Sequence, residues 1–178
     1  DVYKRQIVST EGRNIPSRSW TATGDGTFEG FDMAVLVNRF SASASEIVAA
    51  SLQDHQRAVV VGERTWGKGS VQNVIELENG RSALKLTTAG YYRPSGKNIH
   101  RNDDADESED WGVRPTDGYA IKLTPDETRQ LLDLQRQQDV VVDPSRPHEP
   151  HEPPAPPNFV DRQLQQALEY LGEQLAQR

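Results

Sequence analysis

Two short apolar runs, Met33-Ala34-Val35-Leu36-Val37 and Ala58-Val59-Val60-Val61, constrain this chain more than any other feature. Each is continuous and suits a strand buried on both faces. Between them Ala44, Ile47, Val48 and Leu52 recur at near-helical spacing, which predicts a helix from about Ala44 to Gln53. Strand, helix and strand within thirty residues make a βαβ crossover, hence a parallel sheet. Beyond Gly69 the period changes to two. Val71, Asn73, Ile75 and Leu77 share one parity, Asn79-Gly80 predicts a two-residue turn, and Ala83 to Thr88 return as the partner strand. Thr124-Pro125-Asp126-Glu127 opens a further helix with an N-cap, a first-position proline and a capping-box glutamate. Leu164, Leu168, Leu171 and Leu175 form one stripe of a terminal helix. The expected fold class is mixed α/β, a βαβ core with a parallel sheet plus a β-hairpin, with helices toward the C-terminus.

Composition sets the boundaries. Seven of the 11 prolines fall between Pro144 and Pro157, and so dense a run favours extended, polyproline-like chain. The expected organisation is a core over 1–142, a Pro-rich linker over 143–157 and a terminal helix over 158–178. Residues 1–100 carry 12 basic and 10 acidic side chains, and residues 101–178 carry 8 and 17. The formal charge of −7 argues against a general nucleic-acid binder. No stretch approaches the ~18 apolar residues of a membrane span. The absence of cysteine excludes disulfides, thiolate zinc sites and a cysteine nucleophile.

Ser43 follows a buried strand and begins a helix between two alanines. There a hydroxyl nucleophile would have unpaired helical N–H groups to hold an oxyanion, and small neighbours to admit a substrate backbone. Ser43 and Glu46 also match a capping box, which needs no chemistry. Two bases offer themselves. His55 stands beside Asp54, but adjacent side chains point apart and do not form a relay. Lys68, in Gly67-Lys68-Gly69, must be desolvated before it accepts a proton, and flanking glycines suit a tightly held backbone with the lysine stem buried. Gly62 to Lys68 also fits the first part of a phosphate-binding loop, but Gly69 replaces the magnesium-binding hydroxyl and a strand replaces the helix. The acids from Asp103 to Asp110 lack the turn glycine and closing glutamate of a calcium loop and read as a solvated insertion. His148-Glu149-Pro150-His151 has the wrong spacing for a zinc-protease helix. Tyr91 and Tyr92 fit a substrate groove and a packed strand end equally well.

The text from Val35 to Ile47, then Gln53-Asp54, then Val61 to Gln72, closely resembles the carboxyl-terminal processing proteases, also called tail-specific proteases. Leu84 to Gly96 resembles them as well, and the likeness recurs weakly at Trp111-Gly112-Val113 and from Asp161 to Leu171. The resemblance implies a ClpP/crotonase-like protease core and a serine endopeptidase that cuts polypeptides near their C-termini through a Ser-Lys dyad. On matching positions Ser43 would be the nucleophile, Lys68 the general base, Gln72 the residue that orients the lysine, and Ala44 N–H an oxyanion-hole donor. Four residues of plain strand would separate Lys68 from Gln72 by ~13 Å, so the chain must turn through Gly69 for them to meet. Asp54 falls on a frequent family position and is expected to support structure. No metal or organic cofactor is implied. The implied partners are the C-terminal segments of polypeptides, and the implied location is the periplasm or cell envelope of a bacterium. The family's upstream Asn-Pro-Gly-Gly block and its PDZ domain do not occur in this text. The chain is therefore expected to be the C-terminal part of a longer protease, whose full-length form has the PDZ domain. An inactive fragment or a binding-only relative is the alternative.

Overall fold

The computed structural model describes residues 5–24, 28, 30–138 and 159–178. The Pro-rich segment 143–157 lies outside the described residues. The elements in chain order are β1 (Gln6–Gly12), β2 (Ile15–Thr21), β3 (Ala34–Val37), α1 (Ala44–Asp54), β4 (Val59–Gly62), β5 (Ser70–Leu77), β6 (Ser82–Tyr92), α2 (Pro125–Gln138) and α3 (Arg162–Ala176).

The crossover forms as the apolar runs require. β3 and β4 pair in parallel from Ala34↔Val59 to Val37↔Gly62, with α1 between them in the chain. Val37, Ala49, Ala50 and Val60 join Ile99 and Val113 in one core cluster, against which Ile47 and Tyr91 pack. β3 is not buried on both faces, however. Leu36 remains 43% exposed, because only the side of β3 that carries Val37 is fully covered. Val60 and Val61 of β4 are completely buried. β4 is flanked on its other side by residues 116–121, where Thr116 N–H donates to Val60 O and Ile121 N–H to Gly62 O, both at 2.8 Å.

Gly62 fixes the end of β4. Its φ is +128°, and a Cβ there would stand 2.0 Å from Val37 O. Gly62→Ala is expected to destabilise the chain by about 3 kcal/mol from backbone strain and overpacking together. Gly80→Ala, at positive φ with nothing within 4 Å, is the control. Equal thermal unfolding temperatures for the two variants would refute this account.

The second sheet is antiparallel, in the order β2-β1-β6-β5. The hairpin expected from the alternating pattern is β5–β6, paired from Ser70↔Gly90 to Leu77↔Ser82. Its turn is longer than two residues. Glu78, Asn79 and Gly80 all take positive φ, and four residues lie between the last paired positions. The β1–β2 hairpin has no counterpart in the sequence reading.

α2 opens with the anticipated capping box: Thr124 N–H donates to Glu127 Oε2 at 2.7 Å and Glu127 N–H to Thr124 Oγ1 at 3.2 Å. α3 packs against β3 and β4, but not through its leucine stripe. Gln163 and Ala167 are buried, whereas Leu164, Leu168 and Leu175 are exposed. Arg162 joins the two helices by donating to both Glu127 oxygens, at 2.8 and 2.9 Å. Those hydrogen bonds, followed by the ones from Thr124, lower the Glu127 carboxyl from 4.5 to about 2. A lowered carboxylate supports the fold above its ordinary range and loses that contribution as pH falls through its folded value. The α2–α3 link should therefore persist as pH drops below 4.5 and fail near 2. Carbon-detected NMR titration of the Glu127 carboxyl checks this, and a midpoint near 4.5 would contradict it.

Candidate active site

The β3–α1 connection is a small knot of backbone bonds. Asn38 N–H donates to Ser41 Oγ at 3.1 Å, Ser41 N–H to Asn38 O at 2.9 Å, and Phe40 N–H to Asn38 Oδ1 at 2.9 Å. Ser43 then sits at the N-cap of α1 with φ 59° and ψ −116°. A positive φ is strained for a residue with a Cβ and persists only where the surroundings enforce it.

Glu46 enforces it. This carboxylate is fully buried. Its Oε2 accepts from Ser43 N–H and from Lys68 N–H, both at 2.8 Å. Its Oε1 accepts from Gly67 N–H at 2.7 Å and from the Thr65 hydroxyl at 2.5 Å. Ser43 and Lys68 are 25 positions apart in sequence, yet one oxygen holds both backbones within two hydrogen-bond lengths of each other. A further bond ties the same two loops, from Trp66 N–H to Ser41 O at 3.0 Å. Thr65 Oγ1 also accepts from Val113 N–H at 2.8 Å, and Gly112 closes over the pair. A Cβ at Gly112 would lie 2.8 Å from Thr65 Oγ1 and 3.4 Å from Glu46 Oε1. In the sequence Glu46 stands out only as half of a local capping box with Ser43. Its full burial and its reach across the fold carried no separate sequence signal.

The lysine loop is held as tightly as its glycines suggest. A Cβ at Gly67 would meet Arg101 Cβ at 2.6 Å, and one at Gly69 would meet His100 N at 2.3 Å. The Lys68 side chain differs from expectation, since it is exposed rather than buried. Packing of the 98–101 segment secures the backbone of this loop and leaves its outer face open. Gln72 is exposed as well, and a bulge between Val71 and Gln72 breaks the plain strand spacing just before it. Ala44 is the first residue of α1 and is exposed. β5 follows Lys68 where a phosphate-binding loop would require a helix. That removes the nucleotide reading.

His55 stays away from Ser43. It caps the opposite end of α1, an 11-residue helix, roughly 16 Å long at the usual rise. One of its ring nitrogens, Nε2, lies 2.7 Å from Gln6 O. Asp54 ties the end of α1 to the segment after β6. It accepts from Arg93 at 2.6 and 2.9 Å and from Ser95 N–H at 2.9 Å. Burial raises its carboxyl, but the Arg93 and Ser95 bonds and the Arg93 charge outweigh that and leave it below the ordinary carboxylate range. The acidic side chains from Asp103 to Asp110 are exposed, while the backbone of the segment is held. The carbonyls of Glu107 and Glu109 accept from Arg64 and Arg114, and Arg64 stacks on Trp111 at 3.3 Å.

The family model of peptidase family S41 matches residues 2–116. The chain is 56% identical over 99 residues to a carboxy-terminal-processing protease of Bartonella bacilliformis, covering 54% of this chain and 22% of that protein. It is 44% identical over 95 residues to a carboxyl-terminal-processing protease of Synechocystis sp., covering 53% and 22%. Among solved structures it is similar to a photosystem II D1 C-terminal processing protease, with a TM-score of 0.55 at 32% identity, over 70% of this chain and 29% of that one. The chain thus spans about a fifth of the length of these two curated relatives. Among the described residues no helix is long and apolar enough to cross a membrane.

Proposed function

This chain belongs to peptidase family S41, and from that membership we propose that it carries the nucleophile and base of a serine endopeptidase that cuts polypeptides near their C-termini. Ser43 Oγ attacks the scissile carbonyl while neutral Lys68 Nζ takes its proton. Ala44 N–H holds the developing oxyanion, Lys68 returns the proton to the leaving amine, and water then releases the acyl group. Gln72 orients the lysine. The observation that carries this reading is the shared acceptor: Glu46 Oε2 bonds both the Ser43 and the Lys68 backbone N–H at 2.8 Å. A helix cap alone would need only the first of these bonds.

The exposure of Lys68 favours a low activity for the chain by itself. An ammonium in water keeps its proton, and only exclusion of water makes it a base. Cover from a bound polypeptide, or from further protease chain, supplies that exclusion. By resemblance the enzyme acts in a bacterial periplasm or cell envelope and has a PDZ domain in its full-length form. The test is mass-spectrometric mapping after treatment with a serine-directed fluorophosphonate. An adduct on Ser43, absent from Ser43→Ala, is the expected result. Equal labelling of the two proteins would leave Ser43 with only its role as a helix cap.

A further inference from the structure

Two large aromatic side chains stand open where the Ser43 and Lys68 loops meet. Trp66 is 61% exposed and Phe40 55%. Trp66 N–H donates to Ser41 O at 3.0 Å, which ties the residue two before Lys68 to the residue after Phe40. A lone exposed apolar residue needs no explanation, but two rings fixed at the junction of these loops do. The packed side of the Lys68 loop is filled by its other members. Thr65 bonds Glu46, a Cβ at Gly67 would meet Arg101 and Trp111, and one at Gly69 would meet Ile99 and His100. The open side is left to Trp66 and Lys68, both exposed.

The backbone under Trp66 is rigid. Besides its own bond to Ser41, its neighbours Thr65 and Gly67 both donate to buried Glu46. Among the described residues its indole N–H meets no acceptor, and its ring stacks on no other ring and no cation. A large ring on a fixed backbone supplies contact area to a ligand at low entropic cost. The direction of proton transfer decides which part of a polypeptide meets it. In the proposed mechanism the acyl half stays on Ser43, with its oxyanion at the start of α1, and Lys68 returns the proton to the leaving amine. The first residue of the released segment therefore lies over the Lys68 loop, beside Trp66.

We propose that Trp66, flanked by Phe40, is a specificity residue that packs on the side chain of the first residue of the released segment and selects apolar, above all aromatic, residues there. The proposal rests on the assignment of Ser43 and Lys68 as nucleophile and base, and adds to it a subsite on the leaving-group side of the cut bond.

Two experiments test it, one with chemistry and one without. In the first, p-nitrophenyl acetate acetylates Ser43 with release of p-nitrophenolate, and phenylalaninamide or glycinamide competes with water for the acetyl group. The amine nitrogen forms the new amide bond as the bond to Ser43 Oγ breaks, and its proton restores the hydroxyl. The accepting amine thus takes the place of the leaving residue. Phenylalaninamide should be acetylated about tenfold faster than glycinamide, the gain of one aromatic pair with its buried area. Trp66→Ala should bring that ratio close to one and Trp66→Phe should keep most of it, a pattern that a purely structural role would not produce. In the second, isotope-labelled Ser43→Ala is titrated with the same two amides and followed by NMR. The indole signal of Trp66, identified by its loss in Trp66→Phe, should move with phenylalaninamide and not with glycinamide. The signal of Trp20, itself 46% exposed, should stay in place. Equal acceptor rates, a ratio unaltered in Trp66→Ala, or a Trp66 signal that moves no more than that of Trp20 would overturn the proposal. So would a Trp66 signal that broadens with protein concentration, which would give the ring to a second copy of the chain. Absence of acetyl on Ser43 strikes the nucleophile assignment alone. The titration needs no reaction and still decides the role of Trp66, so the two readings fail separately.

Discussion

Once a bound polypeptide or further protease chain covers Lys68, Lys68→Arg is expected to slow acylation of Ser43 by about 10²–10⁴-fold, the usual contribution of a general base. Arginine keeps the positive charge and much of the length, but it does not give up its proton at any working pH. The backbone bond from Lys68 N–H to Glu46 does not depend on the side chain, so the loop should keep its place. The measurement is the rate of fluorophosphonate incorporation at Ser43 against pH. Under that cover the parent should label quickly, and Lys68→Arg should label slowly at every pH. A rate near that of the parent would show that Lys68 is not the base. His55 is no substitute, since it lies at the far end of α1 with a ring nitrogen against Gln6 O.

Glu46→Ala should damage stability and chemistry together. It orphans three backbone N–H groups at once, those of Ser43, Gly67 and Lys68. Each buried donor left unpaired costs about 1–3 kcal/mol, so a total of roughly 3 kcal/mol or more is expected, partly relieved by water entering the space. For a chain of this size that lowers Tm by about 6–12 °C. Glu46→Gln is the sharper variant. It keeps the volume and one acceptor but turns an NH₂ group toward N–H donors, which pushes the Ser43 and Lys68 loops apart. A displacement near 1 Å typically costs about 10²-fold in rate. Glu46→Gln should therefore fold with a modest loss of Tm and acylate Ser43 about a hundredfold more slowly, whereas Ser43→Ala should leave Tm near that of the parent. An unchanged Tm and an unchanged rate in Glu46→Gln would show that the shared acceptor is incidental.

The elements legible in the sequence were those whose cause is local. β3, α1 and β4 follow from two apolar runs around a helical period, and the capping box at Thr124 forms as written, because each depends on residues a few positions apart. The Asn79-Gly80 turn lies where its residues predict but is longer than two residues, since its length is set by where β5 and β6 fall into register. The β1–β2 hairpin gave no clear periodic signal, as all seven β2 residues are exposed. Burial was the least legible property. Leu36, Leu164, Leu168 and Leu175 are apolar yet exposed, while Glu46 and Gln163 are polar yet buried. Hydrophobic pattern reports what a residue gains by burial, whereas its actual cover depends on elements far away in the chain.

The same division runs through the site. Residue order alone puts suitable types where chemistry would need them, a serine between alanines at a helix start and a lysine between glycines before a strand. It also determined the family, because short motifs in fixed order are properties of text. Folding brings the two loops together, leaves Lys68 open to water, and makes Glu46 rather than His55 or Asp54 the residue that joins them. The cause lies in the nature of the link. It is a hydrogen bond from backbone N–H, which every residue except proline can donate, to a carboxylate brought to it by the packing of α1 against β4 and the 99–113 segment. Nothing in the identity of Ser43 or Lys68 announces that bond, and it exists only once the core has closed around Glu46.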